Sequence, residues 1–358
     1  MEVVFFSPQD LALSACLSWD QEWKKQVLST PPGVVYDRFL PRNPDEWTLL
    51  QQTNTLLVKS GCLITNPLGL TELLRDKLVF HQFLLRHNIP TILPIRLEEA
   101  SEVDLDRLLA ESEVVYVKPI AGAKGTSIGV IATEEKGFAF YDGTGLLRGR
   151  FPNTKSSLSW LKSHFDSLRT VIMRSAHCSR LLGGSFDIRV LVQNAALEQY
   201  VVTGMAARLG REGAWVSNLA KGGRALTITE LMEQLQPNFV ERTSQLAERL
   251  TSLSLECAHL LHNRCGSFAE VGIDFVLDAQ TVPLILEANS KPARWIFVQL
   301  ADSHSPSSIF ASEFRELRKL SVQTPLKHVL ARLQYRSRPK ERHALTRSRL
   351  RRRKLRQR

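Results

Sequence analysis

Cysteine is sparse in this chain, and its spacing is uninformative. The five cysteines, Cys16, Cys62, Cys178, Cys257 and Cys265, are odd in number and include no CxxC pair. That argues against a disulfide framework or a zinc ribbon and reads as reduced thiols. No stretch approaches the ~18 consecutive apolar residues of a membrane span. The opening Met1-Glu2-Val3-Val4-Phe5-Phe6 has no basic region ahead of its apolar residues, so it is read as a first strand and not as a secretory signal. The expected compartment is therefore the cytoplasm. Internal repeats are absent, as are the HExxH and GxSxG signatures of metalloproteases and serine hydrolases.

The body of the chain also lacks a net charge. The formal charge is +11, but residues 336–358 carry twelve Lys and Arg against one acid, Glu341, leaving 35 bases and 35 acids elsewhere. A nucleic-acid-binding module could rest on the tail alone. At that density like charges repel, so disorder is expected there, together with electrostatic binding of polyanions. No aromatic follows Tyr335 to stack on bases, which argues against sequence-specific RNA recognition.

What is present is an ordinary globular composition, 43% hydrophobic and 23% charged over 358 residues. We read an α+β chain in three parts: a small α/β lobe over 1–72, a main domain over 73–335 and the basic tail over 336–358. In the first lobe, strands are expected at Val3–Phe6, Gly33–Tyr36, Thr55–Val58 and Cys62–Thr65. A helix capped by Thr71 or Asp76 should follow and stop at Pro90. Further strands are expected at Val114–Lys118, Ile128–Thr133, Phe186–Gln193, Gln199–Ala207, Val271–Leu277 and Pro283–Ala288, with a long helix from Asn238 to Asn263.

Three constellations carry chemistry. In the first, two strands around Asp278-Ala279-Gln280-Thr281 form a hairpin that brings Asp274 opposite Glu287, and Asn289 shares the face of Glu287. Acids interrupting otherwise apolar strands need a cation or donor. A partial set of hard oxygen ligands suits Mg²⁺, which completes its shell with water and phosphate. In the second, Lys118 ends an apolar strand, and a Gly/Ser/Thr-rich loop, Gly122 to Gly129, precedes the next. Glycines let backbone N–H groups approach phosphate. No Gly-Lys-Ser/Thr closes a Walker loop, and no helix follows as in a dinucleotide fingerprint. The third is Asp187 and Arg189 on one strand face, with Arg208 on the next strand. Arginines there could clamp a carboxylate and offset charge on a transferring phosphoryl group, although a structural Asp–Arg pair would look the same.

The order of these motifs resembles the ATP-grasp superfamily: Asp76-Lys77, Lys118-Pro119, Asp187-Ile188-Arg189, Arg208, Asn218, Gly222-Gly223, Asp274 and Glu287-Ala288-Asn289-Ser290. Phe186–Gln193, Val202–Leu209, Leu286–Phe297 and Val35-Tyr36-Asp37-Arg38 resemble more closely the YheC/YheD-like branch, described as spore-coat associated. The resemblance covers residues 33–335. It implies an ATP-grasp fold, Mg²⁺ and ATP as cofactors, and ligation of a carboxylate to an amine through an acyl phosphate. Lys77 and Lys118 would contact phosphates, with Gly122, Gly125, Ser127 and Gly129 closing over them. Asp274, Glu287 and Asn289 would hold Mg²⁺. Arg189 and Arg208 would face the reacting carboxylate, and the backbone of Met173, Arg174 and Ser175 would meet adenine. Two positions depart from the family pattern. Val171–Ala176 lacks the acid that holds ribose, and Pro292-Ala293 stands where Pro-Gly is usual. A coat or scaffold protein that keeps the fold for architecture is the alternative implied by the same branch.

Overall fold

The computed structural model of the protein describes residues 4–12, 15–20, 22–112, 114–121, 128–176, 180–235, 240–303 and 309–337. Gly122, Gly125, Ser127 and the basic stretch beyond residue 337 lie outside the described residues.

Two antiparallel sheets form the body. The first runs in the order Leu147–Phe151, Gly137–Asp142, Gly129–Glu134, Val114–Pro119, Thr170–Arg174, Ile95–Arg96. Helices Glu102–Ser112 and Thr154–His164 cover it, packing Leu105, Leu108, Leu109, Leu158 and Leu161 on Val115, Val117, Ile131 and Phe140. The second runs Arg224–Leu226, Gln199–Leu209, Gly184–Ala196, Glu270–Leu277, Pro283–Asn289.

The second sheet is buried on both faces, and its period-two alternation sorts its residues by role. Phe186, Ile188, Val190 and Val192 face one core with Val271, Ile273, Phe275 and Leu277, under helices Leu68–Arg75 and Val240–Cys265. The intervening residues, Asp187, Arg189, Leu191 and Gln193, then Glu270, Gly272 and Asp274, belong to the opposite face. There Leu191 packs with Ile296, Phe297 and Leu300 of helix Trp295–Ser303, and with Phe314 and Leu317 of helix Ile309–Ser337.

The amino-terminal lobe pairs Val34–Tyr36 in parallel with Leu63–Thr65 across helix Pro44–Lys59. The strand expected at Thr55–Val58 is the last turn of that helix. Its β-branched composition is outweighed by helical signals: Asn43 caps the Glu46 N–H, Pro44 opens the first turn, Asp45 and Glu46 face the helix dipole, and Leu50, Thr53, Asn54 and Leu57 are buried at helical spacing. The helix expected after Thr71 is two helices, Leu68–Arg75 and Lys77–Arg86. Asp76 breaks them apart in extended conformation and caps the second through the Val79 N–H at 3.1 Å. Thr71 sits inside the first, its hydroxyl 2.9 Å from that of Ser290.

Two polar residues join this lobe to the second sheet. Asn66, in the left-handed region at φ 61°, accepts from the Ala269 N–H at 2.8 Å and donates to the Glu270 carbonyl at 2.8 Å. Glu270 itself is completely buried. It accepts from Tyr36 at 2.6 Å, from Arg38 and Arg294, and from Gln193 at 2.9 Å. Gln193 also reaches the carboxy-terminal helix. Pro325 lies inside that helix and has no N–H for the Ser321 carbonyl four residues earlier. Gln193 Nε2 donates to that orphaned carbonyl at 2.7 Å.

Among the described residues, no helix is long and apolar enough to cross a membrane. A test of the packing follows from the Gln193 bridge. Gln193→Ala leaves buried acceptors unpaired and should cost about 1–3 kcal/mol of stability in urea denaturation. The loss should be smaller in a Pro325→Ala background, where the helix again supplies an N–H to Ser321.

Candidate functional site

The polar face of the second sheet opens onto a cavity of about 260 Å³ against the first sheet, lined among others by Lys118, Asp187, Arg189, Arg208, Glu287 and Asn289. Four strands deliver these groups. Asp274 and Glu287 are cross-strand partners, as the hairpin reading expects, but the register slips between Asp274 and Phe275, so that Phe275 pairs with Ile285. This bulge keeps Ile285 in the core while Glu287 lines the cavity.

The ion pairs form a chain. Arg208 Nε donates to Asp187 at 2.6 Å, and its Nη2 lies 2.9 Å from Asp274 Oδ2. Arg189 meets Asp274 with two donors, Nε and Nη2, the latter at 2.8 Å. Ser217 donates to the other oxygen of Asp187. Burial works to raise the Asp274 carboxyl, but Arg189 and Arg208 outweigh it and hold it down to about 2. Burial raises Asp187. Glu287 is also raised, first by burial and then by the neighbouring Asp274 charge. Asn289 Nδ2 is 3.4 Å from it, a weak contact.

The lysines approach from the other side. Lys118 is 8% exposed, with its ammonium 4.7 Å from the centre of the Tyr116 ring. Burial pushes it down to about 8, against the pull of Glu287. Lys77, at the start of its helix, is lowered by burial while Glu287 and Asp76 work to raise it. Buried His81 fixes that helix: Nε2 donates to the Leu286 carbonyl at 3.1 Å, and Nδ1 lies 2.6 Å from the Thr91 hydroxyl. Burial and Lys118 push the imidazole down to about 3, so it is neutral. Around the site, Lys77, Lys118, Arg189 and Arg208 stand against Asp187, Asp274 and Glu287, a cationic excess suited to an anionic ligand.

The donor set also fits a hard divalent cation. Burial and then the Asp274 charge raise Glu287, which is hydrogen-bonded to Asp274, and Asp274 spends three of its about four acceptor positions on arginines. Two carboxylates and an amide oxygen are the partial shell that Mg²⁺ takes beside phosphate. Among the described residues no group of three or more His, Cys, Asp and Glu is placed to hold a metal ion.

At the opposite end of the cavity, Ile92, Met173, Ala176 and Val276 form a small buried cluster joined by Tyr116, Leu284 and Leu286. Of the three residues expected to present backbone here, Ser175 donates its N–H to Val114 at 2.9 Å. Strand alternation therefore turns the Met173 groups toward the Val114–Pro119 strand as well and turns those of Arg174 to the other edge. On that edge pairing with Ile95–Arg96 reaches only Val171 and Ile172. Arg174 thus offers the open backbone edge. Gly129 opens its strand, and the Phe140 ring occupies the space where a Cβ would stand, at 2.2 Å.

Tyr116, Trp215, Val216, Ser217 and Leu40 also line the site and were not singled out from the sequence. Tyr116 was legible, since it shares a strand face with Lys118 two residues on. The others sit on irregular segments, where no periodicity marks a side chain's direction.

The sequence matches the family described as YheC/D like ATP-grasp over residues 69–314. It is 27% identical over 282 residues to the endospore coat-associated protein YheD of Bacillus subtilis (strain 168), covering 77% of this chain and 60% of that protein. Identity to the endospore coat-associated protein YheC of the same organism is 22% over 218 residues, covering 60% of this chain and 59% of that protein. The chain thus spans about 60% of the length of these curated relatives. In fold it is similar to the D-alanine-D-alanine ligase from Coxiella burnetii, with a TM-score of 0.50 at 11% identity over 92% of this chain and 80% of that one.

Proposed function

The chain belongs to the YheC/D-like ATP-grasp family, and from that premise we propose that it is an ATP-dependent carboxylate–amine ligase. The observation that carries the proposal is the convergence of Lys118, Arg189, Arg208 and Glu287 on one cavity between the two sheets. In this reading adenine lies against the apolar wall of Ile92, Ala176 and Val276, with its edge on the Arg174 backbone. Lys77 and Lys118 neutralise the phosphates, and the segment holding Gly122, Gly125 and Ser127, with Gly129 at its end, covers them. Asp274, Glu287 and Asn289 would hold Mg²⁺, which supplies Lewis-acid stabilisation of phosphate charge when bound.

Arg189 and Arg208 orient the substrate carboxylate. One carboxylate oxygen attacks the γ-phosphorus, ADP leaves, and an acyl phosphate forms. The two guanidiniums stabilise the charge that develops on it. The amine then attacks the acyl carbon, inorganic phosphate leaves, and the amine gives up a proton. Exclusion of the water that would hydrolyse the acyl phosphate would fall to the segment Gly122–Gly129.

By calorimetry, ATP should bind the wild type with Mg²⁺ and bind far more weakly without it. Glu287→Gln should lose that magnesium dependence. A folded protein that binds no ATP at millimolar concentration would overturn the proposal.

A pH dependence follows from Lys118. Its ammonium is charged below about 8 and neutral above, so affinity for Mg-ATP should fall as pH rises from 7 to 9. At one unit above its pKa a lysine is about one-tenth protonated, which sets a loss of up to about ten-fold. Lys118→Arg, which stays protonated, should flatten the profile over that range.

We extend the proposal to setting and partner. The relatives' names place them with the endospore coat, and we propose the same association here, with cytoplasmic synthesis. The twelve basic residues of 336–358 would bind polyanions there. Retention on heparin should decline with added salt and disappear when residues 338–358 are deleted.

A further inference from the structure

Much of the cavity wall is apolar. Beyond Ile92, Ala176, Val276 and Leu286 it is lined by Leu40, Trp215, Val216, Pro292 and Ala293. Both groups of these residues adjoin the arginines. Pro292 lies against Arg189: a Cβ built on Gly272 would stand 2.7 Å from Pro292 Cβ and 3.3 Å from Arg189 Cδ. Val216 precedes Ser217, which is bonded to the Asp187 that holds Arg208.

The polar groups at this end are already committed within the protein. Lys291 donates to Asp37 at 2.7 Å and to the Phe39 carbonyl at 2.6 Å. Ser217 serves Asp187, and the side-chain oxygen of Asn218 accepts from the Ala220 N–H at 2.9 Å. Arg189 and Arg208, by contrast, reach Asp274 and Asp187 through Nε and Nη2 and keep Nη1 outside those pairs. A substrate whose carboxylate faces Arg189 and Arg208 therefore meets a hydrocarbon surface on this side of the cavity.

Leu40 stands out within that surface. It is 48% exposed, yet it follows a segment fixed at several points. Tyr36 is bonded to Glu270 at 2.6 Å, Arg38 to the Pro292 carbonyl at 2.8 Å, and the Asp37 carboxylate and Phe39 carbonyl to Lys291. A single exposed leucine is ordinary on a surface. One held beside a rigid anchor at the wall of a charged cavity presents a preorganised apolar contact.

We propose that the substrate carboxylate carries an apolar group, that this group lies against Leu40, Trp215, Val216 and Ala293, and that Leu40 is a specificity-determining residue supplied by the amino-terminal lobe. The substrate class is then an aliphatic or aromatic amino acid, free or at the end of a short peptide. This inference rests on the ligase reading above.

The test uses the full chain, saturated with Mg²⁺ and a non-hydrolysable ATP analogue and titrated by calorimetry with leucine, phenylalanine, glutamate and serine. Leucine or phenylalanine should bind at least about ten-fold tighter than glutamate or serine, the scale a hydrophobic pocket provides. Leu40→Ser should reduce that preference to about two-fold, and Leu40→Met should keep it. Glutamate or serine binding as tightly as leucine, no binding of any of the four, or an unchanged preference in Leu40→Ser would overturn the proposal. Binding of the analogue, measured first, tells this failure from failure of the ligase reading, in which the analogue itself would not bind.

Discussion

Glu270 is a carboxylate with no exposure to solvent, and donors from distant parts of the chain surround it. Tyr36 and Arg38 come from the amino-terminal lobe, Gln193 from the adjoining strand, and Arg294 from the loop after the last strand of the sheet. A buried charge without partners is strongly unfavourable, so the four donors cannot be lost one at a time at small cost. The geometry they share therefore fixes how the lobe, the sheet and the carboxy-terminal helix meet. Two guanidiniums on one carboxylate leave a positive excess, and Arg38 passes part of its donor capacity to the Pro292 carbonyl. The same residues that satisfy Glu270 thus hold the loop that lines the cavity.

The strand Glu270–Leu277 explains why this hub and the site are coupled. Glu270, Gly272 and Asp274 follow the period-two repeat, so they share a face, with Glu270 and Asp274 separated by about 13 Å. Gly272 stands between the two charges. The absence of a Cβ there admits Pro292 and the Arg189 side chain on the same face. Arg189 can then lie flat toward Asp274 with two donors.

Much of this was legible in the sequence, for a physical reason. Strands such as Phe186–Gln193 alternate apolar and polar residues, and the apolar set alone accounts for the core, which leaves Asp187 and Arg189 for the other face. Asp274 and Glu287 were legible as a pair because the intervening turn is short. The bulge that aims Glu287 was not, since a one-residue slip leaves no composition signal. Thr55–Val58 misled because β-branched residues favour strands locally, whereas caps and burial twelve residues earlier decide for a helix. Glu270 was also missed. It lies next to the turn Gly266-Ser267, where a glutamate is ordinarily solvated, and its donors are more than seventy residues away in sequence except for Arg294.

The departures from the family pattern acquire meaning in this frame. Ala293 in place of glycine demands negative φ, and the chain there is fixed from both sides, by Arg38 on the Pro292 carbonyl and by Arg294 on Glu270. Backbone freedom at this point is of little use to a loop already held at its neighbours. A methyl group, by contrast, adds apolar surface to the cavity next to Leu40 and Pro292. Alanine in place of glycine therefore gives up flexibility that the anchored loop does not use and adds apolar contact area to the cavity wall.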